Sequence, residues 1–458
     1  MSESFRFRFS RILPGLFPVL CAPVLWGQAK DYNIKIGDLL LDFSANAEYA
    51  YSDNVTSVPD GAPDANRPGK AGPIGDWMLG YGLDMGIDWQ ITDNNTLGVS
   101  VGMSWIDYKE MNFLDSQRTN FSVNPDSEVD FSVLIGPVEA RVYDRFGYSV
   151  EGSNSVRVDA SSAGTPLVDA EGRPLAQGRA VAFEVDRYAF WENEIGVEAL
   201  TILNPLEWTI SLSRLDVMPD DNDGGEYVEE LGKPLQDDRW EFTRRSEWIL
   251  QSQLFYPLGR DNGVGIFGRY SENDYNRNIL TDSKGWQVGV SAEWAFTERT
   301  ILSATLGYDV RSFEESETLR FLAGGYADIL KGKNAFYRFE LLNLLGEKLN
   351  HKLSYARSIA FGRATNQQVV DSFAYDLKFQ GIRGVELTGG FQWVTADDSG
   401  PAPFAEQYDL FLASIGMDIR LSSKLTSSLS YRFVSKDSNN NDRDFDQNHA
   451  SVSLKYDF

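Results

Sequence analysis

The sequence predicts an all-β fold, a transmembrane antiparallel up-and-down β-barrel of about 18 strands within a range of about 16 to 18. Three observations carry that reading. Apolar residues alternate with polar or tiny ones, tight turns take turns with long polar connections, and the chain closes on an alternating strand ending in Phe458. The alternation is plainest where Trp77, Leu79, Tyr81, Leu83, Met85, Ile87, Trp89 and Ile91 share one face and Asp76, Gly80, Gly82, Asp84, Gly86 and Asp88 the other. It returns with Leu97, Val99, Val101, Met103 and Trp105 against Gly98, Ser100, Gly102 and Ser104. Soluble sandwiches alternate too, so length decides. Trp77 and Trp89 would stand about 40 Å apart along a strand, or about 28 Å along the normal of a membrane crossed at about 45°. Trp286 and Phe296 repeat nearly the same separation. Soluble strands are usually about half as long.

Taken in order, the elements begin with a leader. Arg6, Arg8 and Arg11 precede an apolar stretch over 12–27 that Pro14, Pro18 and Pro23 interrupt, the composition of an export signal. Cleavage is expected after Ala29, with Gly27 as the second choice. A spanning helix needs about 20 apolar residues, which the stretch does not supply. The expected layout is a signal peptide over 1–29, a short N-terminal periplasmic segment over 30–37, and the barrel over 38–458. Tight turns are expected at 93–95, Gly136-Pro137, Asn204-Pro205, 259–262, 297–299, 345–348, 381–383 and Ser422-Ser423. Long connections are expected at 53–75, 110–126, 152–185, 216–239, 276–283, 314–333, 363–367, 396–405 and 436–444. Outer-membrane barrels have this asymmetry, with short turns in the periplasm and long loops outside. Asn54, Asp159, Asp223 and Asn440 should therefore face outward, and Asn94, Asn262 and Phe458 the periplasm.

Composition removes several classes of function. With 67 acidic against 42 basic residues and a net charge of -25, the surface repels nucleic acid. The only Cys is Cys21, inside the leader, so neither disulfides nor a Cys-ligated metal are expected. Asp220 to Glu226 has calcium-loop composition without the ligand spacing or Gly position, so no metal and no cofactor is expected. No Gly-rich phosphate loop follows a strand. No catalytic residue is assigned either: His351 should lie low on the lipid face and His449 should point inward near the outside, so the two cannot share a site. His449 beside Asp444 or Asp446 reads better as a polar rim residue than as an acid-base pair.

The C-terminal strand places Val452, Leu454, Tyr456 and Phe458 on one face. This is similar to the terminal signal by which barrel-assembly machinery recognises outer-membrane proteins, and those four residues are assigned as the assembly signal. Tyr51-Ser52-Asp53-Asn54-Val55, Tyr143-Asp144-Arg145-Phe146, Tyr431-Arg432-Phe433 and Arg443-Asp444-Phe445-Asp446-Gln447-Asn448 are segments of the kind that turns and strand ends use. With the layout of the whole mature chain, they resemble the outer-membrane β-barrel porins whose relatives are linked to exopolysaccharide or capsule secretion. The resemblance implies a bacterial outer-membrane location. It also implies outer-membrane lipid and lipopolysaccharide, the assembly machinery and polysaccharide-export components as partners.

Function should reside on the inward face. Parity assigns Asp84, Asp88, Glu139, Arg141, Glu198, Arg269, Glu293, Arg338 and Glu340 to the pore lining, with Asp42, Glu48, Asp130, Asp309, Asp376, Glu386, Lys352, Lys378, Arg432 and Lys455 beside them. Such charges are prohibitive in a dry core and set the field in a wet channel. Cross-strand bracing of the wall is the competing role for each of them. The expected function is a water-filled, cation-preferring pore, associated with polysaccharide export or the passage of saccharides and small solutes. The alternative is a structural or adhesive barrel whose outer loops bind ligands. The loop over 152–185 mixes Val156, Leu167, Val168 and Leu175 with Arg157, Asp159, Asp169 and Arg179. By resemblance to the third loop of general porins, it is expected either to fold into the pore or to stay outside as a mobile loop.

Overall fold

A computed structural model of the chain describes residues 34–54, 75–109, 121–152, 187–219, 244–259, 262–275, 282–297, 299–314, 331–346, 348–360, 367–399, 405–439 and 444–458. The leader and the loop over 153–186 lie outside them, as does the calcium-like segment at 220–226.

A short strand, β1 (Ile34–Ile36), precedes β2 (Leu39–Ser52), β3 (Asp76–Thr92), β4 (Asn95–Tyr108), β5 (Phe121–Ile135), β6 (Val138–Gly152), β7 (Arg187–Leu203), β8 (Leu206–Pro219), β9 (Arg245–Pro257) and β10 (Asn262–Tyr275). Then come β11 (Ser283–Thr297), β12 (Thr300–Phe313), β13 (Lys331–Leu345), β14 (Leu349–Ala360), β15 (Gln368–Ile382), β16 (Val385–Asp398), β17 (Gln407–Arg420), β18 (Leu425–Ser438) and β19 (Phe445–Asp457). From β2 onward each strand pairs antiparallel with the one before it. β19 then pairs back onto β2, from His449↔Ser52 to Asp457↔Ser44. The result is a closed barrel of eighteen strands. The hook β1 folds onto β2 through Gly37, at φ 64°.

Strand ends fall at all the expected tight connections. Gly136, Gly346 and Gly384 have φ of 61°, 71° and 74°, which glycine adopts without the Cβ clash other residues would meet. The long connections are shorter than expected at several edges. β5 starts at Phe121, inside the expected loop over 110–126, because a bulge between Val123 and Ser127 breaks the alternation that marks a strand. β8 runs on to Pro219, β16 to Asp398 and β18 to Ser438. The segment Tyr143 to Phe146, of a kind suited to turns and strand ends, lies well inside β6.

On the exterior, Trp77, Tyr81, Leu83 and Trp89 are between 38% and 47% exposed, a fraction that would be costly in water for so many large apolar side chains. Aromatic rings edge this band. Tyr49 stacks on Trp77 with centroids 4.9 Å apart, and Trp105, Phe121, Tyr148 and Trp191 follow one another at 5.2, 6.2 and 4.6 Å across β4 to β7. A closed barrel with an apolar belt between aromatic girdles is the exterior of an outer-membrane protein. Among the described residues no helix is long and apolar enough to cross a membrane; the crossing is made by strands.

Near the outer ends of β15 to β19 the polarity inverts. Outward positions become Asp371, Thr395, Asp397, Asp409 and Asp437, while inward Val370, Val394, Ala396, Tyr408, Leu410, Val434 and Phe445 form one buried cluster, each at 4% exposure or less. Here the wall has the polarity of a soluble sheet, so the outer ends of these strands stand above the hydrocarbon. Asn439, exposed at the outer end of β18, and Asn94, exposed in the tight turn after β3, test the orientation. An impermeant thiol reagent on intact cells should label Asn439→Cys and leave Asn94→Cys unlabelled; the reverse pattern would turn the barrel over.

Candidate functional site

Because side chains alternate along each strand outside its bulges, the register assigns an inner face. All nine sequence-assigned lining residues have inward register. Asp84 and Asp88 on β3 oppose Gly102 and Gly98, Arg141 on β6 opposes Glu198 on β7, and Glu293 on β11 opposes Ser303. They do not form one cluster. Asp84, Asp88, Glu139, Arg141 and Glu198 share the arc from β3 to β7, Arg269 and Glu293 lie on β10 and β11, and Arg338 and Glu340 lie on β13.

The first arc carries the densest network. Arg141 pairs with Glu128 and, at 3.4 Å, with Asp130. Arg145 donates to Glu128 at 2.7 Å and to Glu194 at 3.2 Å. The Tyr143 ring lies between the two guanidiniums, 5.2 and 5.1 Å from its centroid, and its hydroxyl donates to Glu194 at 3.0 Å. Each cation thus meets a carboxylate along its edge and a π-face on its flat side, an arrangement suited to Arg and not to Lys. The ring can lie there because β7 carries Gly196 opposite it; a Cβ at that position would come within 2.3 Å of the ring's Cζ.

A second network stands on the wall from β13 to β16, close to half the circumference away by strand count. Arg338 donates to Glu340 at 2.9 Å, Lys352 pairs with Glu340 at 3.2 Å, and Lys378 pairs with Glu386 at 2.7 Å. Between these arcs, Arg269 meets Glu247 at 3.5 Å with both side chains almost wholly buried. Beside it Phe267 and Phe336, on β10 and β13, reach across Gly289 and Gly307 until their centroids are 6.1 Å apart. At the outer end Lys436 pairs with Glu406 at 2.6 Å, and Asp398 accepts from Gln368 at 2.8 Å.

Sequence reasoning did not single out Glu128, Tyr143, Arg145 or Glu194. Glu194 shares parity with the assigned Glu198, a usable signal. Glu128 likewise shares parity with the assigned Asp130 on β5, and Tyr143 and Arg145 lay within a segment read as suited to turns and strand ends. His351 faces outward against Tyr375, at 6.1 Å, and His449 faces inward opposite Arg432 and Ser52. They lie on different faces of β14 and β19.

No family model matches the chain, and no curated protein does. Solved structures give matches in overall layout. OccAB3 of Acinetobacter baumannii is 12% identical over 92% of this chain and 100% of its own, with a TM-score of 0.49. OpdK of Pseudomonas aeruginosa, solved with vanillate, is 11% identical over 91% and 99%, at 0.47. A BenF-like porin from Pseudomonas fluorescens Pf-5 is 10% identical over 91% and 99%, also at 0.47.

Two substitutions test the first arc. Arg145→Ala leaves Glu194 without its cation while Glu128 keeps Arg141, and should cost about 1 to 3 kcal/mol, read as a lower thermal unfolding midpoint in detergent. Gly196→Ala should cost about 1 to 3 kcal/mol by displacing the Tyr143 ring, and Tyr143→Ala in the same chain should recover part of that loss; no recovery would mean that Gly196 serves the strand and not the ring.

Proposed function

We propose that the chain is a water-filled channel of the bacterial outer membrane that prefers cations and passes small hydrophilic solutes, saccharides among them. The carrying observation is the belt of ionised side chains held at fixed positions on the inner face of a closed eighteen-stranded wall. Barrels of about 16 to 18 strands enclose an aqueous lumen, whereas eight-stranded ones fill with side chains. In a wet lumen fixed charges set the field that a passing solute meets. The case for cation preference is the arc on β3 to β7, where, among the described residues, inward Asp84, Asp88, Glu128, Asp130, Glu139, Glu194 and Glu198 outnumber inward Arg141 and Arg145. A surplus of acid in a low-dielectric tube concentrates cations.

Association with polysaccharide export rests on the family resemblance alone. The remaining partners in this reading are lipopolysaccharide around the apolar belt and the barrel-assembly machinery, which would read outward Val452, Leu454, Tyr456 and Phe458, all between 41% and 51% exposed. The second reading, a structural or adhesive barrel, draws on the buried apolar cluster inside the outer ends of β15 to β19, which gives part of the inner face to packing.

Single-channel recording on purified protein separates the two, with steady conductance expected of a channel and silence in every preparation expected of a structural barrel. Across a salt gradient, the reversal potential should report cation preference. Replacing Asp84 and Asp88 together by Asn should move it toward zero; anion preference in the unmodified protein would reject the role given to the acidic arc.

A further inference from the structure

On the outer face of β6, β7 and β8 stands a polar island that a channel wall does not require. Asn193 donates to Asp144 at 2.5 Å, and Arg214 donates to Asp216 through Nε at 3.1 Å and Nη2 at 2.9 Å, with its guanidinium 5.6 Å from the centroid of Trp248. Asn193 and Asp216 are register partners, so the two pairs form one patch. Parity is unambiguous. Inward neighbours on the same strands are Tyr143, Glu194 and Ser213, while outward Val142, Ile195 and Leu212 are 52%, 54% and 42% exposed.

Depth makes the island anomalous. Tyr148 and Trp191, members of the outer aromatic row, lie farther toward the strands' outer ends than Asp144 and Asn193. Val142, Ile195 and Leu212 lie on the periplasmic side. Asp144 follows Pro137 by seven residues, about 23 Å along the strand and about 16 Å above the turn at a 45° tilt, inside an apolar band about 25 Å tall. By contrast Asp397, Asp409 and Asp437 lie beyond Trp393, Phe411 and Phe433 toward the outside, where outward charge is cheap. A carboxylate held against lipid at the depth of Asp144 is costly, and such residues normally face protein or water.

We propose that the outer face of β6 to β8 is a contact surface between two copies of this chain. Ile195 lies between Asp144 on β6 and Arg214 on β8, so a two-fold through it sets the guanidinium of one copy against a carboxylate of the other. The patch holds two carboxylates and one guanidinium, and the guanidinium side chain remains 47% exposed after its own pairing. In a two-fold contact the same surface is used on both partners, so Arg214 of each copy can reach Asp144 of the other while Val142, Ile195 and Leu212 pack around them. Each Arg214 then bridges Asp216 of its own chain and Asp144 of the other, and the charges leave the lipid.

The test uses cysteine cross-linking in outer membranes, with Cys21 the chain's sole Cys. Ile195→Cys lies within the patch; Ile415→Cys, 64% exposed on β17, lies on the far side of the barrel. A short bis-maleimide should give a covalent dimer with Ile195→Cys and none with Ile415→Cys. Adding Asp144→Arg to the Ile195→Cys chain should lower the dimer yield at least about tenfold, with heat-modifiable migration on gels showing that the barrel is still folded. Monomer alone from Ile195→Cys, or equal dimer from both positions, would overturn the proposal. So would an undiminished yield in folded Asp144→Arg, and lipid would then be the island's cover.

Discussion

Inside a bilayer no water is available for an unpaired peptide group, and each one left open costs several kcal/mol. Closure of β19 onto β2 answers that constraint, since it gives the first and last strands the partners every other strand already has. It also ties the ends of the chain together locally: the Phe458 amide donates to Phe43 at 3.1 Å, and near the opposite end of the seam Asn448 donates to Asp53 through its backbone at 2.7 Å and its side chain at 2.6 Å. The seam is therefore fixed at both ends, by the terminus on one side and by side chains on the other.

With the backbone satisfied by its neighbours, the side chains of each face answer to one solvent only. On the outer face that solvent is hydrocarbon up to the aromatic row and water beyond it, which is why Trp393 and Phe411 give way to Thr395 and Asp409. On the inner face the same strands change from Asp376 and Lys378 to Val370, where buried apolar packing replaces ionic pairing. Glycine recurs where one strand must yield space to its neighbour's ring, as Gly196 does for Tyr143. The ionic arc on β5 to β7 is thus a product of register as much as of composition, since the same residues one position out of step would face lipid.

Architecture was legible because the membrane imposes a long-range regularity on each strand. Trp77 to Trp89 showed length, parity and both interfaces in one segment, and Gly136-Pro137 marked a turn by backbone chemistry alone. The inward register of Asp84, Arg141 and Glu198 was legible by the same parity. Three things were not. A bulge before Ser127 inserts residues 124–126 into β5, so the outer part of that strand, from Phe121, read as loop. The inversion at the outer ends of β15 to β19 reads in sequence as ordinary alternation, because Val394 and Thr395 alternate in polarity whichever of them faces in. Pairing between strands distant in sequence, such as Tyr143 over Gly196, depends on register that no local pattern encodes.

The bridge of Phe267 and Phe336 over Gly289 and Gly307 has a mechanical consequence. Strand spacing of about 4.8 Å puts β10 and β13 roughly 14 Å apart along the wall, yet their rings meet at 6.1 Å. The two side chains therefore form a chord beneath an arc. A hydrogen-bonded barrel cannot change its circumference without breaking pairs, so ellipticity is its softest mode of deformation. A chord across four strands sets the local curvature and stiffens that mode on one side, leaving breathing of the cross-section to the arcs that lack such a strap.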